Sequence, residues 1–137
     1  MLYVYKVSAP ANTTYENRVV KELTVRKGII TSIKILIPAG HHSLAHLVLL
    51  HGDTNIAPEH GVEGIYGDDT VLEIIPMLEI RADEDKLRAE VWNEDDTFNH
   101  EFVLYIEIKP KWQVYTMEPV IKILESLKNL LRARRIS

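Results

Sequence analysis

Apolar residues recur at every second position in one short run after another, and this alternation limits the possible folds more than any other feature of the chain. Successive side chains of a strand point to opposite faces, so each such run has one face for a core and one for water. Residues 2–7, rich in aromatic and β-branched types, predict a first strand, ended by Ala9-Pro10-Ala11-Asn12. In residues 20–25, Leu23 and Val25 alternate with Glu22 and Thr24. Beyond Gly28, Ile33, Ile35 and Ile37 alternate with Ser32, Lys34 and Leu36 until Pro38-Ala39-Gly40 stops the run, since proline cannot donate to a ladder. Residues 45–51 predict a fourth strand with Ala45, Leu47 and Leu49 on one face. Residues 52–69 carry Gly52, Pro58, Gly61, Gly64 and Gly67 and read as turns, with Ile56 and Ile65 as short anchors into the core. Further strands are expected at 71–75 and 78–81, separated or bent at Pro76. Leu87, Ala89 and Val91 then alternate with Arg88, Glu90 and Trp92, and Phe102, Leu104, Ile106 and Ile108 with Glu101, Val103, Tyr105 and Glu107. About eight strands, with turn signals every 8–12 residues or so, predict an all-β fold: an antiparallel β-sandwich of jelly-roll type over residues 1–110.

Pro110 ends that pattern, and residues 111–137 are different in kind: a linker and then an amphipathic helix. Glu118-Pro119 is a helix start, proline being tolerated in the first turn. Val120, Ile123, Leu124, Leu127, Leu130 and Leu131 follow at three- and four-residue spacing, giving a helix of about four or five turns with an apolar stripe. Residues 118–137 hold five basic and two acidic side chains, a net +3, against 11 basic and 18 acidic in residues 1–117, a net −7. Arg132, Arg134 and Arg135 sit at the carboxyl end, where positive charge suits the helix dipole. The stripe must be covered, either by its own sandwich or by another subunit or a larger assembly; the sandwich pattern is complete by Pro110, so the expectation is another subunit or a larger assembly. Trp112 and Tyr115 lie between the last strand and the helix, as a plug on the open end of the core or as interface anchors. Trp92 either fills the second face of its strand or marks a covered patch. The candidate interface residues are therefore Trp112, Tyr115, Val120, Ile123, Leu124, Leu127 and Leu131.

Reactive constellations are weighed against plainer readings. A chain of 137 residues, 46% hydrophobic, suffices for one domain that folds without metal or disulfide. The absence of cysteine excludes thiolate zinc sites and cysteine nucleophiles. A net charge of −4 argues against nucleic acid as a partner. Residues 1–6 lack the parts of a secretory leader, so synthesis and assembly inside the cell are expected, and Asn12-Thr13-Thr14 is read as a chance match to a glycosylation acceptor. The apolar run Leu47-Val48-Leu49-Leu50 falls far short of the ~20 residues a membrane span needs. Tyr66-Gly67-Asp68-Asp69 copies a two-metal polymerase hairpin, but such a site needs another carboxylate and a far larger fold; a turn is expected. His41, His42, His46, His51 and His60 cluster in sequence, and the first four could serve a cupin-like metal site, although their spacing departs from the cupin pattern. His51-Gly52-Asp53-Thr54-Asn55 has the look of a metal-phosphoesterase loop without its other motifs, and Ser43 lacks the glycines of a nucleophile elbow. The acidic turns Asp83-Glu84-Asp85 and Glu94-Asp95-Asp96 could take calcium, or simply be solvated. No glycine-rich phosphate loop leads into a helix. The expectation is no catalytic residue, no cofactor and no bound metal.

The order of features has a counterpart. Val7-Ser8-Ala9-Pro10-Ala11-Asn12-Thr13, Lys27-Gly28-Ile29-Ile30-Thr31, Ile35-Leu36-Ile37-Pro38-Ala39-Gly40, Ile56-Ala57-Pro58, Gly64-Ile65-Tyr66-Gly67-Asp68 and Val91-Trp92-Asn93-Glu94-Asp95-Asp96, with His100 and the run 102–108, come in that order. This resembles small β-sandwich proteins from the structural gene regions of tailed viruses of bacteria and archaea, of the head-decoration or particle-appendage kind. The resemblance covers nearly residues 1–110 and rests on turns and strand patterns, not on reactive groups. It implies a non-enzymatic structural role in a virion, assembled in the host cytoplasm, as a trimer or other small homo-oligomer seated on a capsid or other virion protein.

Two other functions compete: a carbohydrate- or receptor-binding sandwich using Trp92, Trp112 and the turn carboxylates, and a cupin-like metal protein using His41, His42, His46 and His51. A single glutamine, Gln113, and no cysteine would suit a hot habitat.

Overall fold

Alternating runs of the kind read above fold into nine strands in a computed structural model, which describes residues 1–115 and 117–136. They are β1 (Leu2–Ala9), β2 (Val19–Val25), β3 (Gly28–Ile37), β4 (Ala45–His51), β5 (Thr54–Ala57), β6 (Thr70–Ile74), β7 (Leu78–Ile80), β8 (Asp85–Asn93) and β9 (His100–Lys109). One sheet has the order β1-β9-β3-β6, with β7 also paired to β3; the other has the order β2-β8-β4-β5. β9 occupies one side of β3, so β6 and β7 share the other and act as a single strand broken at Pro76. All pairs are antiparallel. The first four strands pair in turn with the last ones, β1 with β9, β2 with β8, β3 with β7 and β6, and β4 with β5. That is a long two-stranded ribbon rolled up from its β4–β5 tip, the jelly-roll arrangement.

The period-two pattern decides which side chains meet. Leu23, Ile33, Ile35, Ile37, Leu47, Leu49, Leu87, Val91, Phe102, Leu104 and Ile106 are buried between the sheets. Each such side chain contributes about 1.5–3 kcal/mol relative to exposure. Ile56 and Ile65, the expected anchors, are partly buried and packed against this core. The structure also corrects the reading of residues 52–69 as turns alone: Thr54–Ala57 is strand β5. Beyond β5 the pairing of β4 is continued by Ile65, which exchanges two backbone hydrogen bonds with Leu47 at 2.7 and 2.9 Å. Gly64 permits that approach: its φ is +70°, and a Cβ there would sit 2.8 Å from the Leu47 carbonyl oxygen.

The expected linker is in part helical. Lys111–Tyr115 forms a short helix, α1, followed by α2 over Met117–Ile136. Ser137, the last residue of the expected helical segment, lies outside the described residues.

One buried polar side chain ties the end of β1 to the β8–β9 loop. Asn93, fully buried at the end of β8, donates through Nδ2 to the carbonyls of Ala9 (3.1 Å) and Phe98 (2.8 Å) and accepts from the Asp95 N–H (2.9 Å). Its backbone N–H donates to Thr13 Oγ1 at 2.9 Å. An aliphatic side chain there would remove these three hydrogen bonds at a buried or part-buried site, each lost partner costing roughly 1–3 kcal/mol. We expect Asn93→Leu to lower stability by about 2–4 kcal/mol in urea unfolding monitored by tryptophan fluorescence, well beyond a typical surface substitution.

Candidate functional site

The apolar stripe of the C-terminal helix stands uncovered. Every side chain described in α2, from Pro119 to Arg134, is exposed, among them Val120, Ile123, Leu124, Leu127 and Leu131. The helix therefore does not pack on its own sandwich. Leu124, Leu127 and Leu131 follow one another at three and four residues, with Ile123 and Leu130 beside them, so one side of the helix is continuously aliphatic. Trp112 is 71% exposed and Tyr115 is exposed, so neither plugs the core. α1 is tied to the sandwich by Lys111, whose Nζ donates to Glu79 Oε1 at 3.0 Å. Lys111 holds the Glu79 carboxyl below its ordinary pKa.

Trp92 marks a covered patch. It is only 4% exposed on the outer face of its sheet, stacked on the His46 ring (centroids 5.1 Å, planes 6° apart), with Tyr15 edge-on at 5.0 Å. The Arg18 guanidinium lies 4.4 Å from the centre of the Tyr15 ring. Arg18 and Arg88 flank the Glu90 carboxylate, their Nε atoms at 3.4 and 3.5 Å. With so little of the indole exposed, Trp92 offers no platform for a sugar. Sequence reasoning missed this cover because Tyr15 and Tyr66 arrive from loops far away along the chain.

The histidines do not converge. His46 Nδ1 donates to the Glu63 carbonyl at 2.7 Å, and His51 Nε2 pairs with Asp85 at 2.9 Å. His41 lies instead against His100, which the sequence cluster did not include, with ring centroids 4.6 Å apart. Among the described residues no group of three or more His, Asp or Glu side chains is placed to hold a metal ion. The turn carboxylates have internal partners: Asp83 accepts from the Lys27 N–H, and Asp95 from Thr97, Phe98 and His100. Hydrogen bonds from Thr97, first, and from His100 hold the Asp95 carboxyl below its ordinary pKa. Asp68, in the polymerase-like motif, accepts from the Gly40 and His42 N–H groups and organises the β3–β4 turn. Two backbone donors likewise hold its pKa down, His42 first.

No protein-family model matches the chain, and no curated protein matches it. Among solved structures it is similar to a chain of the infectious bursal disease virus Gx strain, with 15% identity and a TM-score of 0.23. That match covers 79% of this chain and 32% of the viral one, so this chain spans about a third of its length.

His41 gives the sandwich a specific acid sensitivity. Its Nε2 donates to the Glu101 carbonyl at 2.9 Å, and its buried Nδ1 has no hydrogen-bond partner among the described residues. Protonating Nδ1 would create a dry N–H beside the His100 ring. Burial, the largest cause, accordingly pushes the His41 pKa below its ordinary value, the Glu101 carbonyl and Asp68 partly opposing it. The unfolded chain then takes up a proton that the folded chain refuses, so this contribution is complete above the unfolded pKa of about 6.5 and shrinks as pH falls below it. The lowered aspartates act only in more acid solution, near the carboxylate range. We expect stability to fall between about pH 7 and pH 5, and His41→Phe to flatten that interval in thermal melts across pH.

Proposed function

We propose that the chain is a non-enzymatic structural subunit of a virus particle, a capsid-decoration or appendage protein whose contacts run through its C-terminal helix. One observation carries the reading: an aliphatic helix face, exposed over its whole described length, follows a sandwich whose strands have found their partners. Most helical stability in proteins comes from packing an amphipathic face, and an uncovered apolar stripe invites association. Trp112 and Tyr115 extend the apolar surface back to the sandwich, where large aromatics act as interface anchors. The resemblance of residues 1–110 to virion sandwich proteins supports a place on a particle, with a second copy of this chain and a capsid or other virion protein as partners.

Light scattering on the full-length chain tests the reading. We expect an oligomer, a multiple of 15.7 kDa, that falls to the monomer mass in the double variant Leu124→Glu, Leu127→Glu while the β-sheet circular dichroism signal persists. A wild-type monomer at all concentrations, binding no particle protein, would rule the reading out.

A further inference from the structure

The hydrophobic core is left unfinished along one edge. On β6 and β7, Leu72 and Ile74 lie across from Ile35 and Ile33, and Leu78 from Ile30. Those three isoleucines are fully buried. Directly paired residues share a sheet face, so Leu72, Ile74 and Leu78 point between the sheets. Yet Leu72 is 37% exposed, and Ile74 and Leu78 are only half-buried. The cause is strand length. The edge strand of the opposite sheet is β5, four residues long and bulged against β4, while β6 and β7 together run from Thr70 to Ile80. What remains between the two edges is a cleft of about 630 Å³, lined by Ile56, Pro58, Ile65, Leu72, Ile74 and Ile75 among others. Among the described residues, the charged residues of its lining are Glu59 and Glu73, with no Lys or Arg.

α2 has the complementary character. Lys128 borders its aliphatic face, and its segment carries +3 where the rest of the chain carries −7. Bundling such basic segments together would set like charges near one another, whereas the cleft has acidic residues, Glu59 and Glu73, in its lining. We propose that the cleft between β5 and β6/β7 receives α2 of a neighbouring copy, which completes the core edge. This rests on the reading that the stripe grips a second chain, and it names the surface gripped. A single chain leaves both surfaces open at once, with Ile75 69% exposed and the stripe bare. Each copy brings one helix and one cleft, so a ring or a reciprocal pair satisfies them all.

The chain has no cysteine, which makes disulfide cross-linking a clean test. The single variants Ile75→Cys and Leu127→Cys, both at exposed positions, are purified full-length, mixed and oxidised. The expected result is a mixed cross-link as the main product, shifting the band to about twice 15.7 kDa. Self-cross-linking of Leu127→Cys as efficient as the mixed reaction would overturn the proposal in favour of helix–helix contact. Closure of the double variant within one chain on dilution would overturn it in favour of docking in cis. Oligomers by light scattering without the mixed cross-link would overturn it and leave the assembly reading intact, whereas a monomer would remove both.

Discussion

A sandwich interior stays dry only where the strands facing each other across it are equally long. Over most of this molecule they are: β3, β8 and β9 run nine or ten residues and bury an unbroken aliphatic layer. At the β5 edge they are not, and inward-facing Leu72 is left partly wet. The same demand for cover governs the helix. Its stripe is apolar enough to need a partner, and the sandwich it follows does not supply one in the same chain. Two uncovered apolar surfaces on one chain, a cleft with acidic residues in its lining and a stripe on a basic segment, are the physical basis for reading the protein as something that assembles.

Several of the turns resolve their polar demands internally. Carboxylates in the turns accept backbone N–H groups and histidine protons, and Asn93 satisfies three backbone groups at the end of β8. Trp92 is roofed by Tyr15 and His46. These arrangements hold loops in place over a rolled ribbon, a task that consumes groups which, read singly in the sequence, could have served as ligands for sugar or metal. His41 shows the cost of such economy: its second ring nitrogen is buried with no hydrogen-bond partner among the described residues, so the loop end of the sandwich resists protonation.

Much of the fold was legible because inner-face positions alternate strictly: Ile33, Ile35 and Ile37, or Phe102, Leu104, Ile106 and Ile108, have one possible reading. β5 was not legible, since Thr54-Asn55-Ile56-Ala57 is short, mostly polar and surrounded by glycines. Nor was the His41–His100 contact, which joins the β3–β4 turn to the start of β9 across 59 positions of chain. The exposed stripe was readable from its three- and four-residue spacing, but the cleft was not, because it arises from a mismatch between strands in different sheets. Local pattern reports which face of an element is apolar; only the assembled layers report which apolar face lacks a cover.

Hydrogen exchange of the full-length protein over a dilution series addresses the central idea directly, that α2 owes its order to another chain. Amides of residues 119–134 should be protected in concentrated solution and exchange rapidly on dilution, while those of β3, β8 and β9 stay protected throughout. Equal protection of α2 at every concentration would contradict the account, because the helix would then be held by its own chain.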